Sequence, residues 1–199
     1  MFMRWMLVIG MLVSGPSAAA GFVGIGGGLA EAEMQYAGEE HAVGLKVFVG
    51  GEINENVAVE VGALMLDEMS FSAAMSGASA AVDQTGSALH VALMGRMPVG
   101  PVTLYHKVGG QFWTVDADGT VDYAGTTYRA KGRKHGMGAL VGLGVELAAS
   151  DAWSLRVEAE RYFDVGEDLE LKAQGVDASV VFKDGEDVDV LSASITYSF

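Results

Sequence analysis

The stretch Val188 to Phe199, VDVLSASITYSF, alternates strictly and ends the chain on an aromatic residue. One row is Leu191, Ala193, Ile195, Tyr197 and Phe199; the other is Ser192, Ser194, Thr196 and Ser198. A repeat of two residues marks a β-strand with one apolar and one polar face. Such a strand either turns its apolar face into a soluble core or presents it to hydrocarbon, and about 9–11 tilted residues suffice to cross a bilayer. In the second case the polar row faces a lumen.

Working back from that stretch, the same alternation recurs. Val43, Leu45, Val47 and Val49 interleave with Gly44, Lys46, Phe48 and Gly50; Val57, Val59, Val61, Ala63 and Met65 interleave with Ala58, Glu60, Gly62 and Leu64. Leu89, Val91 and Leu93 oppose His90, Ala92, Met94 and Arg96, and Leu104, His106 and Val108 oppose Tyr105, Lys107 and Gly109. Val141, Leu143, Val145 and Leu147 oppose Gly142, Gly144 and Glu146; Trp153, Leu155, Val157 and Ala159 oppose Ser154, Arg156, Glu158 and Glu160. With the glycine-rich opening Gly21 to Glu33, the count is about eight strands. Short turns fall at Glu52–Asn56, Pro98–Pro101 and Ala149–Ala152. Longer polar segments are read as loops at Ser72–Gly86, at Asp116–Lys134 with a hairpin signal at Asp118-Gly119, and at Val165–Asp187 with another at Asp184-Gly185. Long connections alternating with short ones predict an all-β, antiparallel, up-and-down transmembrane barrel of about eight strands.

The length of 199 residues suits one domain, and the absence of cysteine excludes a disulfide framework and C-x-x-C sites. A formal charge of −14 argues against nucleic acid as a partner, because a phosphate backbone requires a basic stripe. Residues 1–20 carry one cation, Arg4, an apolar run from Trp5 to Val13, and the small residues Ala18, Ala19 and Ala20. That is the pattern of a cleaved signal peptide, leaving residues 21–199 as the mature barrel domain.

The polar rows carry Lys46, Glu60, His90, Arg96, Lys107, Glu146, Arg156, Glu158 and Glu160. A soluble core filled with so many charges would be costly, whereas a narrow polar lumen lets them pair. They are read as a structural ion-pair network and not as catalytic groups, with the glycines beside them making room for large side chains. GIGGG at Gly24–Gly28 lacks the G-x-G-x-x-G spacing of a nucleotide loop, and Asp116, Asp118 and Asp122 do not follow the EF-hand pattern. No metal or cofactor is expected. His41, His90, His106 and His135 form no Ser-His arrangement in the sequence.

The stretches GFVGIGGGL, INENVAVEVG, LVGLGVEL leading into SDAWSLRVEAERY, and DVDVLSASITYSF together resemble the small outer-membrane β-barrels of Gram-negative bacteria, the opacity-type porin-like proteins related to the OmpA transmembrane domain. The resemblance implies an exported protein of the bacterial outer membrane, in contact with its lipid and lipopolysaccharide, with a non-enzymatic structural, adhesive or protective role at the surface. It implies further that Tyr197 and Phe199 act as the signal read by the outer-membrane assembly machinery. The basic cluster Arg129, Lys131, Arg133 and Lys134 is a candidate contact for an anionic surface. A small porin-like channel, a lipid A-modifying barrel enzyme and a soluble lipocalin-like carrier are the alternatives.

Overall fold

The computed structural model describes residues 20–34, 38–75, 78–123, 125–166, 169–173, 179–182 and 186–199. Ten strands follow in order: β1 Gly21–Met34, β2 Gly38–Asn54, β3 Val57–Met75, β4 Ala78–Val99, β5 Val102–Tyr123, β6 Thr126–Ala148, β7 Trp153–Val165, β8 Leu169–Ala173, β9 Ser179–Phe182 and β10 Glu186–Ser198. Eight of them, β1 to β7 and β10, close one antiparallel ring. β8 and β9 form a short hairpin that adds to β6 through Ala130↔Ala173 and Lys131↔Lys172.

Closure comes from the C-terminal stretch Val188 to Phe199. β10 pairs with β1 from Phe22↔Ser198 to Ala32↔Val188, and the N–H of Phe199 donates to the Gly21 carbonyl at 2.9 Å. Following paired residues around the ring from Gly138 passes Gln111, His90, Gly62, Phe48, Gly24, Thr196 and Ser154, and returns to β6 at Ala148. The stagger is therefore ten residues, 138 to 148, which for eight strands corresponds to a tilt of about 40° and a bore that side chains fill.

At one end the connections are tight. The Asn54 side chain accepts the Asn56 N–H at 2.9 Å, Gly100 turns at φ 63°, and the Ser150 hydroxyl accepts the Trp153 N–H at 3.1 Å. From that end upward the outward row is apolar apart from His106, and includes Val61, Leu93, Val108, Leu143, Val157 and Ile195, all exposed. Farther along, these rows give way to charged or polar outward residues, among them Glu31, His41, Asp67, Asp116, Arg133, Arg161 and Asp189. Ion pairs stitch this rim, Arg161 to Asp189 at 2.5 Å and Arg133 to Asp116, and the His41 ring lies 3.9 Å from the Glu31 carboxylate.

Beyond the rim the structure differs from the sequence reading. The segments taken as loops at Ser72–Gly86 and Asp116–Lys134 are mostly strand: β3 pairs with β4 to Met75↔Ala78, and β5 with β6 to Tyr123↔Thr126. Asp118-Gly119 is no hairpin tip, because Gly119 is paired with Val82 on one side and Ala130 on the other. The period of two persists there, with Asp118 and Thr120 outward and Ala117 and Val121 inward, so polarity alone misled the loop assignment. The Asp184-Gly185 signal and the signal-peptide segment lie outside the described residues.

Candidate functional site

Inward rows of β2, β3, β4, β5, β6 and β7 bring the charged residues to one level of the bore. The Lys46 ammonium donates to both Glu158 and Glu160. Lys107 donates to Glu60 at 2.6 Å and Glu160 at 3.0 Å, and lies 2.7 Å from Glu158. Arg156 donates to Glu60 at 2.6 Å and to Glu146 at 3.0 Å, while the Ser154 hydroxyl donates to Glu146 at 2.8 Å. Tyr105 closes the set with a 2.7 Å bond to Glu158. All but Glu146 are buried. Each carboxylate thus meets at least one cation, the condition under which buried charge is tolerated.

Aromatic rings lie against this network. The Arg156 guanidinium is 4.5 Å from the centre of Phe48, 5.0 Å from Tyr105 and 5.2 Å from Phe22, within the range of cation–π attraction. Toward the outer side, buried Leu140, Trp113, Val115, Val82 and Val190 cap it with an apolar layer. Large rings find space by lying on glycines of the neighbouring strand: Tyr105 is paired with Gly144, Trp113 with Gly136 and His90 with Gly62, and a Cβ on any of these glycines would strike the ring.

Two residues singled out from the sequence stand elsewhere. Arg96 is on an inward row but at the tight-turn end, where it binds Glu52 and not the central carboxylates. Its place near the end of β4 puts it at the mouth of the bore. Lys134 is paired with Val115 on an inward row, so it does not share the outer face of Arg129, Lys131 and Arg133. On that face Arg133 makes two bonds to Asp116, and Lys131 lies 2.5 Å from Asp118. The hydrogen-bonded Asp116 carboxylate raises the Arg133 pKa above its ordinary value. Glu52, the Tyr105 bond to Glu158 and the aromatic bed of Arg156 are not legible from the sequence alone. Tyr105 was legible from its position on the same row as Lys107, but a ring contact across strands needs the register.

The lumen offers little chemistry. His90 lies 3.4 Å from Glu60 through Nε2, and its Nδ1 has no partner among the described residues. Donor atoms of Glu60, His90 and Glu160 come within 4.8 Å of one another, as a metal site requires. Lys107 and Arg156 already hold those carboxylates, and their positive charges oppose a divalent cation there. His106 points outward among the lipid-facing residues, above Gly95 of β4. Tyr197 and Phe199 stack at 6.3 Å, and Trp153 lies 4.9 Å from Tyr197, forming an outward aromatic group at the tight-turn end, where an interfacial belt sits.

Known proteins share this architecture. OprG from Pseudomonas aeruginosa superposes with a TM-score of 0.57 at 14% identity, covering 92% of this chain and 98% of its own. Ail, the attachment invasion locus protein of Yersinia pestis, gives 0.55 at 11%, and Neisserial surface protein A gives 0.52 at 17%, each covering 92% of this chain and 100% of theirs. No curated protein sequence matches. The profile of the OmpA-like transmembrane domain matches residues 17–199, nearly the whole length, and the chain accordingly belongs to that family of bacterial outer-membrane β-barrels.

Proposed function

We propose that this protein is a non-catalytic surface protein, a barrel that serves as anchor for an extracellular wall engaged in structural or adhesive contacts. The observation that carries the reading is the wall itself. β3 to β6 continue past the charged rim as bonded strands, polar outside, on a barrel whose bore is occupied by buried ion pairs. A rigid, water-exposed sheet on a filled barrel is suited to contact, not to transport. The chain has no cysteine, so a single Thr120→Cys change marks the wall. An impermeant maleimide should label it in intact cells, and the wild type should give no steady large openings in planar bilayers. Labelling only after lysis would remove the surface role; steady large openings would favour the porin-like channel.

The outer row Arg129, Lys131 and Arg133, at and above the rim, supports contact with the phosphates of lipopolysaccharide. Lys131 and Arg133 meet aspartates, which leaves Arg129 the most available of the three. Replacing all three by Gln should weaken binding to lipopolysaccharide vesicles, and unchanged affinity would dismiss the contact. Export through a cleaved signal and insertion by the assembly machinery complete the proposal. Deleting Phe199 should deplete folded protein from outer-membrane fractions far more than it impairs refolding in detergent; equal effects would reduce Phe199 to an apolar contact.

A further inference from the structure

The wall has a side that no described strand pairs. The β2–β3 ladder climbs from Asn54↔Val57 to Gly44↔Leu66 and stops there, and above Gly44 the paired neighbour of β2 is β1. β3 goes on. A bulge between Leu66 and Met69 brings Asp67 and Glu68 both to the surface, with the Glu68 N–H donating to the Asp67 carboxylate at 2.9 Å. From Met69 to Met75 β3 is bonded to β4 on one side. On its other side, among the described residues, the backbone is open. In an antiparallel strand every second residue directs both its N–H and its C=O to the same side, so this edge presents a row of strong donors and acceptors.

Exposed edges are commonly blocked by lysine, by proline or by shortness. Here a bulge and charge occur only at the foot of the edge: Met69 through Val82 contains no charged residue and no proline, and the open edge spans Met69–Met75. Charge appears only at the foot of the edge, as Asp67 and Glu68.

We propose that the Met69–Met75 edge of β3 is a docking strand, to which an extended cationic segment of another polypeptide adds as an antiparallel strand. The deduction rests on the reading of the wall as extracellular. Direction follows from the fold, since β3 rises away from the membrane and its ring neighbours are antiparallel to it. The added strand therefore runs toward the membrane, and its C-terminal end lies beside Asp67 and Glu68. Complementarity at that foot calls for lysine or arginine at the C-terminal end of the segment. A second copy of this chain is a poor occupant: the chain carries −14, and its own edge has the same acidic foot.

The probe is a fluorescein-labelled peptide of alternating threonine and valine ending in two lysines, titrated by anisotropy against the full barrel folded in detergent. Saturable binding is expected. It should weaken about tenfold when the lysines move to the N-terminal end, when Asp67→Asn and Glu68→Gln are combined, or when alternate amides facing the edge are N-methylated. Of Ser72→Pro and Ala73→Pro, the one whose N–H faces the open side should abolish binding while the heat-modifiable gel shift still reports a folded barrel. No saturable binding, or equal binding by peptides methylated on either alternate set, would overturn the proposal. So would a detergent-stable dimer that dissociates on the same proline change, which would mean the edge pairs with itself. Labelling of Thr120→Cys in intact cells without peptide binding sinks the docking strand alone; loss of that labelling sinks the surface reading.

Discussion

Below the rim and above it, the same strands carry opposite patterns. Within the apolar band β5 points Lys107 inward and Val108 outward; above it the same strand points Val115 and Ala117 inward and Asp116 and Asp118 outward. β6 behaves likewise, with Leu143 outward below and Arg133 outward above. The backbone is continuous and the register unbroken from Val102↔Leu147 to Tyr123↔Thr126. Solvent explains the inversion, with Lys134 on the inward row of β6 as an exception: hydrocarbon takes the apolar row and leaves charges to pair inside, whereas water takes the polar row and leaves mostly apolar residues to meet across the interior. A strand thus records the height of the membrane in the place where its pattern reverses.

Substitutions on either side of the rim test that contrast by urea unfolding in lipid vesicles. Glu60→Ala leaves Lys107 and Arg156 each without one carboxylate in a buried site, and should cost about 3–5 kcal/mol. A cost near zero would mean that water reaches the network and that the bore is open. Leu143→Lys, 68% exposed on the lipid-facing row, should lose about 2–4 kcal/mol relative to Leu143→Ala. Equal stability of the two would place that row outside hydrocarbon. Above the rim, Asp118→Asn removes a solvated pair with Lys131 and should change stability by about 0–1 kcal/mol. Thr120→Lys, an outward lysine as in Leu143→Lys, should stay within about 0.5 kcal/mol, and a larger loss would extend the lipid-facing band into the wall.

Much of this was legible because alternation is a local signal. The closing strand, the apolar rows and the residues that meet in the bore, from Lys46 to Glu160, follow from a period of two. Which residues sit at the same height does not, because the ten-residue stagger is set by pairing among distant strands. That is why alternation groups Arg96 with the central charges although its place is at the mouth beside Glu52. Lys134 clusters with its neighbours in sequence for the same kind of reason: charge runs ignore that adjacent strand residues face opposite ways. The wall was hidden by composition. Ser, Ala, Thr, Asp and Gly read as loop, and only their alternation, with Val82, Val115 and Val121 as sparse inward markers, betrays strand.

The rings that rest on glycines have a consequence for how such an interior changes over time. Tyr105 and Gly144 share one volume, as do Trp113 and Gly136, and each pair sits directly across a ladder. Enlarging the glycine collides with the ring, and shrinking the ring leaves a hole, so either step alone is selected against. The bore then drifts by exchange between partners, two substitutions at a time, while a lipid-facing residue such as Leu143 can be traded singly for any side chain of similar hydrophobicity. In aligned relatives the inside of the barrel should vary in correlated pairs and the outside independently, so the tempo of change becomes a second record of which way each residue points.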